Sequence, residues 1–253
     1  MPRAARKKSE TNTYHIMVRG INRQNIFLND EDNERFIDTL AKYKREVEYK
    51  IYAYCLMNNH IHLLIKEGNE ALSNTMKRIG ASYVYWYNWQ HDRKGHLFQD
   101  RYKSEPVEDD IYFLTVLRYI HQNPLKAGIT SDINQYKWSS YQEYIQEAKI
   151  VDVDFALAMF NGDRGKAILD FKNFNLAANK DQCLDIIPEK KTISDKKIKQ
   201  LVTDKFKLDL ASLHSEQFEN QKEILKYLKD LDGVSLRQLS RLTGLTVNKI
   251  YRA

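Results

Sequence analysis

Only two cysteines occur in 253 residues, Cys55 and Cys183, and they lie far apart. That excludes a disulfide-stapled framework and points to a reducing, cytoplasmic compartment. No apolar run approaches the roughly 20 residues that cross a bilayer, so no membrane partner is expected. The opening Met1-Pro2-Arg3-Ala4-Ala5-Arg6-Lys7-Lys8 is basic but lacks the apolar stretch of a signal peptide. A hydrophobic content of 42% with 29% charged residues fits a soluble globular chain, long enough for one core plus an appendage or for two domains.

The charge balance is positive. A net charge of +6 and a pI near 9.0 favour a polyanionic partner, with nucleic acid foremost. Sixteen Tyr and three Trp stand beside 40 Lys and Arg, which adds stacking surface of the kind single-stranded nucleic acid requires. Aromatic residues are also ordinary core material, so this supports the partner class without deciding it.

Residues 1–12 read as a disordered basic arm. Tyr14 to Arg19 reads as a strand ended by Gly20, and Asp30 as the N-cap of a helix running to about Glu48. Ile51 to Met57 is apolar on both faces and reads as a central strand. Asn58-Asn59 makes a turn into a partner strand, His60 to Lys66. A second helix is expected from Leu72 to about Gln90, then a strand ending near Val107. The order strand, helix, strand, strand, helix, strand is the ferredoxin-like βαββαβ pattern of an α+β fold. A third helix is expected from Asp109 to about Gln122, stopped by Asn123-Pro124. This domain spans 13–148.

Residues 149–190 are expected to form a helical linker region, and Pro188 with Glu189-Lys190-Lys191 marks the link at its end. Residues 191–253 form an all-α module with helices near 194–205, 215–231, 235–243 and 246–252. Ser235 caps the third, Gly244 separates it from the last, and Leu239, Leu245 and Ile250 fall where a helix-turn-helix buries apolar residues. Thr246, Asn248, Lys249 and Arg252 would then face DNA.

The chemistry gathers on Asn58-Asn59-His60-Ile61-His62. Strand alternation projects His60 and His62 on one face, and two imidazoles on a rigid strand are two legs of a metal site. Spacing alone is equally compatible with ordinary strand histidines. On the third helix, Tyr119 and Asn123 are one turn apart and adjacent. Asn123 offers a neutral oxygen ligand, and a tyrosine hydroxyl beside a metal-bound phosphate is a nucleophile for phosphodiester transfer. A buried ring with a satisfied hydroxyl is the alternative for Tyr119.

His60-Ile61-His62 after a Met-Asn-Asn turn resembles the HUH motif of the single-tyrosine transposases. Tyr119-Ile120-His121-Gln122-Asn123-Pro124-Leu125-Lys126-Ala127-Gly128 resembles the tyrosine helix of the REP-associated tyrosine transposases. Arg19-Gly20-Ile21-Asn22-Arg23, Leu97-Phe98-Gln99-Asp100-Arg101-Tyr102-Lys103 and Trp138-Ser139-Ser140-Tyr141 are similar to that family too. The resemblance covers roughly residues 12–145. It implies a Mg²⁺ or Mn²⁺ site and an enzyme that cleaves and rejoins single-stranded DNA near hairpins through a 5′-phosphotyrosine. It makes His60 and His62 metal ligands, Asn123 the third ligand and Tyr119 the catalytic nucleophile. It leaves open a monomer or a homodimer. Arg19, Arg23, Lys77, Arg78, Arg101, Lys103, Arg118 and Lys126 are candidates for phosphate contact. Two other readings stay open: a regulator that binds hairpin DNA without cutting it, and an HUH replication initiator or relaxase. The latter usually carries a second tyrosine or a helicase, and neither is visible here.

Overall fold

The computed structural model describes residues 6–184, 193–231 and 233–252. The first five positions of the basic arm and the link at Pro188 to Lys191 lie outside the described residues. The chain divides between residues 185 and 186 into two compact units.

The first unit opens with β1 (Thr13–Arg19), α1 (Asp30–Val47), β2 (Lys50–Met57), β3 (His60–Lys66), α2 (Leu72–Gln90) and β4 (Lys103–Pro106). The strands form one antiparallel sheet in the order β2-β3-β1-β4, which is ferredoxin-like topology. Register fixes what each face carries. Met17 stands opposite His62 and Arg19 opposite His60, so His15, Met17 and Arg19 share a face with His60, His62 and Leu64. Tyr14, Ile16 and Val18 share the other face with Ile61, Leu63 and Ile65. Phe36 of α1 and Tyr83 of α2 meet edge to face, and Met76 and Ile79 of α2 lie around Val18 on that apolar face.

The helix α3 (Asp110–Lys126) lies across the imidazole face, with Phe113 against Tyr52 and Tyr119 against His62. Asp109 starts it by accepting the Tyr112 N–H at 2.7 Å. The helix does not stop before Pro124, as expected, but runs a turn further. Proline removes one N–H and disfavours helical geometry just before it, a cost that is tolerable when the end is near. Here the Ala127 N–H reaches the Asn123 carbonyl at 2.9 Å and the Ile129 N–H reaches the Pro124 carbonyl at 2.9 Å, closing the terminus.

β2 looks central because both of its faces are apolar, yet it is an edge strand. Its outer rim is covered by the loop that follows α3. Leu56 N–H donates to the Trp138 carbonyl, Ser140 N–H to the Tyr54 carbonyl, and the Tyr54 N–H to Ser140 Oγ. A covered edge offers no unpaired ladder to another chain. The Trp138-Ser139-Ser140-Tyr141 motif is therefore a sheet-edge cover.

Three short helices follow, α4 (Tyr141–Ile145), α5 (Val153–Ala158) and α6 (Arg164–Leu176). Residues 149–184 pack as part of the first unit: Ile150, Val153, Leu157, Ala167 and Phe171 join the same core as the sheet. Phe171 stacks on Tyr144 with centroids 4.4 Å apart. Residues 6–12, expected as part of a disordered arm, are docked. The Arg6 guanidinium lies 3.7 Å over the Tyr102 ring and donates to the Tyr102 carbonyl, while Ser9 Oγ donates to Glu108.

The second unit is all-helical: α7 (Asp195–Phe206), a 3-10 segment (Leu210–Ser215), α8 (Phe218–Asp230), α9 (Leu236–Thr243) and α10 (Val247–Arg252). Ile198, Leu213, Ile224, Leu239, Leu245 and Ile250 build its core. Ser235 caps α9 by accepting the Gln238 N–H at 3.1 Å. Gly244 ends α9 at φ 70°, a left-handed conformation that glycine adopts without a Cβ penalty. Ser240 Oγ then donates to the Leu245 carbonyl at 2.7 Å, fixing the turn into α10.

Candidate active site

The β2–β3 hairpin turns on Asn58-Asn59, and both residues are tied into the loop after β1. The Asn58 carbonyl accepts the Ile26 N–H at 2.8 Å and the Asn59 carbonyl accepts the Gly20 N–H at 2.9 Å. A Cβ at Gly20 would overlap the Gln24 carbonyl oxygen, so this approach requires glycine. The turn positions His60 directly: its Nδ1 lies 2.7 Å from Asn59 Oδ1. An amide oxygen only accepts, so His60 carries its proton on Nδ1 and its lone pair on Nε2.

His62 follows two residues on, its ring 5.2 Å from that of His60. It is fully buried. Burial, reinforced by His15 and His60 nearby, holds its basicity well below that of an ordinary histidine. A neutral imidazole is the form that ligates metal. Its Nε2 is buried without a hydrogen-bond partner among the described residues. A third imidazole, His15 of β1, is not singled out by local pattern. It is fully buried, with Nε2 3.0 Å from His62 Nδ1, and burial lowers its pKa to about 3.

Tyr119 completes the cluster from α3. Its ring stands edge-on to His15 at 5.8 Å and to His62 at 5.7 Å, and Lys126 Nζ lies 5.0 Å from its centroid. It is 4% exposed. Asn123, one turn further along α3, is also buried. His60, His62 and Tyr119 are thus brought together by the fold, with Asn123 on the adjoining turn. The donor chemistry fits a divalent cation, because a buried imidazole Nε2 with no hydrogen-bond partner is an atom of the type that ligates such ions. No three His, Cys, Asp or Glu side chains converge as a metal cluster among the described residues. A cation here would rest on two imidazoles, an amide oxygen and the oxygens of a substrate.

The candidate phosphate contacts do not share one groove. Arg19 and Lys103 lie on the imidazole face by register, opposite His60 and Met17. Arg23 is exposed in the 3-10 turn after Gly20. Lys77 and Arg78 belong to α2, which packs against Val18 on the opposite face, and Arg78 pairs with Glu70 at 3.2 Å. Arg101 lies beside Tyr102 at a cavity near α2. Arg118 is not presented to a ligand: it makes a two-pronged pair with Asp181 at 2.7 and 3.0 Å and covers the Phe174 ring. Lys126 reaches Asn179 Oδ1 at 3.3 Å as well as the Tyr119 ring. In the second unit, Thr246, Asn248, Lys249 and Arg252 line a cavity of about 410 Å³ together with Phe218, Gln221, Lys222 and Leu225 of α8.

The family model described as "Transposase IS200 like" matches residues 8–123, a span that includes His15, His60, His62, Tyr119 and Asn123. Over that segment the chain is similar to the IS200-like transposases. A solved structure described as a REP-associated tyrosine transposase bound to a REP hairpin superposes with a TM-score of 0.51 at 16% identity, covering 61% of this chain and 96% of that one. At this identity the likeness shows the fold. The crystal structure of a proposed transposase from Deinococcus radiodurans R1 aligns with a TM-score of 0.34 at 15% identity, over 51% of this chain and 95% of that one. No curated protein matches the chain. No described helix is long and apolar enough to cross a membrane. The matched span stops within α3, and residues beyond it, among them Ile150, Val153 and Phe171, complete the core of the same unit.

Proposed function

We propose that the chain is a metal-dependent single-strand DNA transposase or endonuclease of the HUH class, which cuts and rejoins DNA beside hairpins. The observation that carries this is Tyr119 standing edge-on to His62 within one chain. His60, His62 and Asn123 would hold Mg²⁺ or Mn²⁺. Imidazole ligands suit the softer Mn²⁺ better than Mg²⁺, which prefers oxygen. When bound, the cation offsets charge on the non-bridging phosphate oxygens.

The chain's own residues do the rest. The Tyr119 hydroxyl oxygen attacks phosphorus as its proton leaves to solvent. The bond from phosphorus to the 3′-oxygen breaks, and that oxygen takes up a proton and departs as a 3′-hydroxyl. The 5′-phosphate remains on Tyr119, and attack by another 3′-hydroxyl reverses the step and joins strands. Arg19 and Lys103, on the imidazole face, orient the strand through its phosphates.

The second unit is read as a helix-turn-helix DNA-binding module. Thr246, Asn248, Lys249 and Arg252 on or beside α10 are its contacts, and Gly244 in its left-handed conformation ends α9 before α10 begins. That His60, His62 and Tyr119 meet in one chain supports a monomer as the cutting unit, with a homodimer as the alternative.

The test is a denaturing gel of the protein incubated with a 5′-single-stranded, hairpin-bearing oligonucleotide labelled at its 3′ end. With Mn²⁺ a labelled band at the mass of protein plus DNA is expected, and with a chelator none. Hairpin binding without any adduct in either metal would instead support the non-cutting regulator.

A further inference from the structure

His15 has no place in the reading above, yet it is among the most buried polar groups of the molecule. It stands opposite Leu64 on β1, diagonal to His62 and on the same face. The two rings are 5.2 Å apart and inclined by 35°, and Nε2 of His15 lies 3.0 Å from Nδ1 of His62. The other nitrogen of His15, Nδ1, is buried without a partner among the described residues. An unsatisfied buried polar atom is destabilising. A residue kept at this position for packing would be aliphatic, as its neighbour Ile16 is.

The pair has a directional choice. Two neutral imidazoles sharing one hydrogen bond place the proton either on His62 Nδ1 or on His15 Nε2. Only the first leaves a lone pair on His62 Nε2. At His60 the same choice is made by Asn59 Oδ1, which accepts from Nδ1. With the proton on His62 Nδ1, His15 would anchor that ring through Nδ1 as Asn59 anchors His60, and His62 Nε2 would be left to offer its lone pair. His15 is not itself a ligand in this arrangement, because its Nε2 is engaged with His62.

We propose that His15 is a positioning residue for the cation: by accepting the Nδ1–H of His62 it fixes the tautomer and ring orientation in which His62 Nε2 is a metal ligand. This rests on the metal reading of His60 and His62, and the experiment separates the two. Partners of this kind change metal affinity by about 10–100-fold when removed.

The measurement is the binding of Mn²⁺ to the full chain, read as free Mn²⁺ by electron paramagnetic resonance, with melting temperature and hairpin DNA affinity recorded alongside. His15→Leu should bind Mn²⁺ about 10–100-fold more weakly while melting at or above the wild-type temperature. His15→Gln, whose amide oxygen can accept in place of Nε2, should recover part of the affinity. Metal-free hairpin affinity should be the same in all three proteins. Long-range ¹H–¹⁵N spectra should show His62 protonated on Nδ1 in the wild type and a mixture of tautomers in His15→Leu. Wild-type Mn²⁺ affinity in His15→Leu would overturn the proposal. So would an equal loss of affinity and of melting temperature in the Leu and Gln variants, since that marks a purely structural role. If His62→Ala leaves Mn²⁺ binding unchanged, it is the metal site itself that fails, and the role of His15 with it.

Discussion

Tyr119→Phe is expected to bind hairpin DNA as the wild type does and to form no covalent adduct. The substitution removes one oxygen and keeps the ring. The edge-on packing against His15 and His62, at 5.8 and 5.7 Å, is made by the ring and survives. Melting temperature should therefore stay within a few degrees of wild type. The chemistry, by contrast, loses its nucleophile, and no neighbouring hydroxyl on α3 can take its place: Thr115, one turn back, is engaged with the Ile111 carbonyl at 2.8 Å. Loss of a nucleophile typically lowers the rate by several orders of magnitude. Quantified label in the protein band of a denaturing gel gives the answer. Metal-dependent nicking that continued in Tyr119→Phe would mean that water, not tyrosine, attacks.

The second large effect concerns stability. Phe171→Ala should lower the unfolding free energy of the first unit by about 3–5 kcal/mol, the usual range for truncating a buried aromatic ring. Phe171 is fully buried, stacked on Tyr144 at 4.4 Å and on Tyr141 at 5.4 Å, and edge-on to His121 at 5.6 Å. The tyrosine helix depends on the same region. His121 Nε2 meets Ser140 Oγ at 2.9 Å and its Nδ1 meets Asn175 Oδ1 at 3.1 Å, while the Gln122 amide donates to the Asn175 carbonyl at 2.6 Å. A chain ending at residue 148 loses all the Asn175 and Phe171 contacts at once. Against a typical total of about 5–15 kcal/mol, that loss should leave no cooperative unfolding transition. A chain ending at 184 should keep one. Urea titrations of the two truncated chains and of Phe171→Ala decide it, and a shorter chain that melted like the longer one would make residues 149–184 dispensable.

What could be seen in the sequence was what local pattern controls. The βαββαβ order followed from alternation and helical spacing, and so did the projection of His60 and His62 on one face, because a period of two leaves no other choice. The adjacency of Tyr119 and Asn123 followed from helical geometry. What was not visible depended on pairing between distant segments. His15 reads as one residue of an apolar strand, and only the register of β1 on β3 sets it beside His62. β2 reads as central because a loop some 80 residues later covers its edge, a relation no window on the strand contains. Arg118 looks like a free cation until Asp181, 63 positions away, pairs with it. Pro124 reads as a helix stop, and the capping bonds that let the helix pass it involve residues just beyond. In each case the sequence carried the residue type, and the tertiary partner settled its role.

The most direct test of the whole account is the chemical identity of the adduct. The protein should be incubated with Mn²⁺ and hairpin-bearing single-stranded DNA, treated with nuclease and protease, and its peptides sequenced by mass spectrometry. The account predicts a residual 5′-nucleotide on the peptide containing Tyr119, on no other tyrosine, and only when the metal is present. A nucleotide on a different residue, or cleaved DNA with no modified peptide at all, would contradict it.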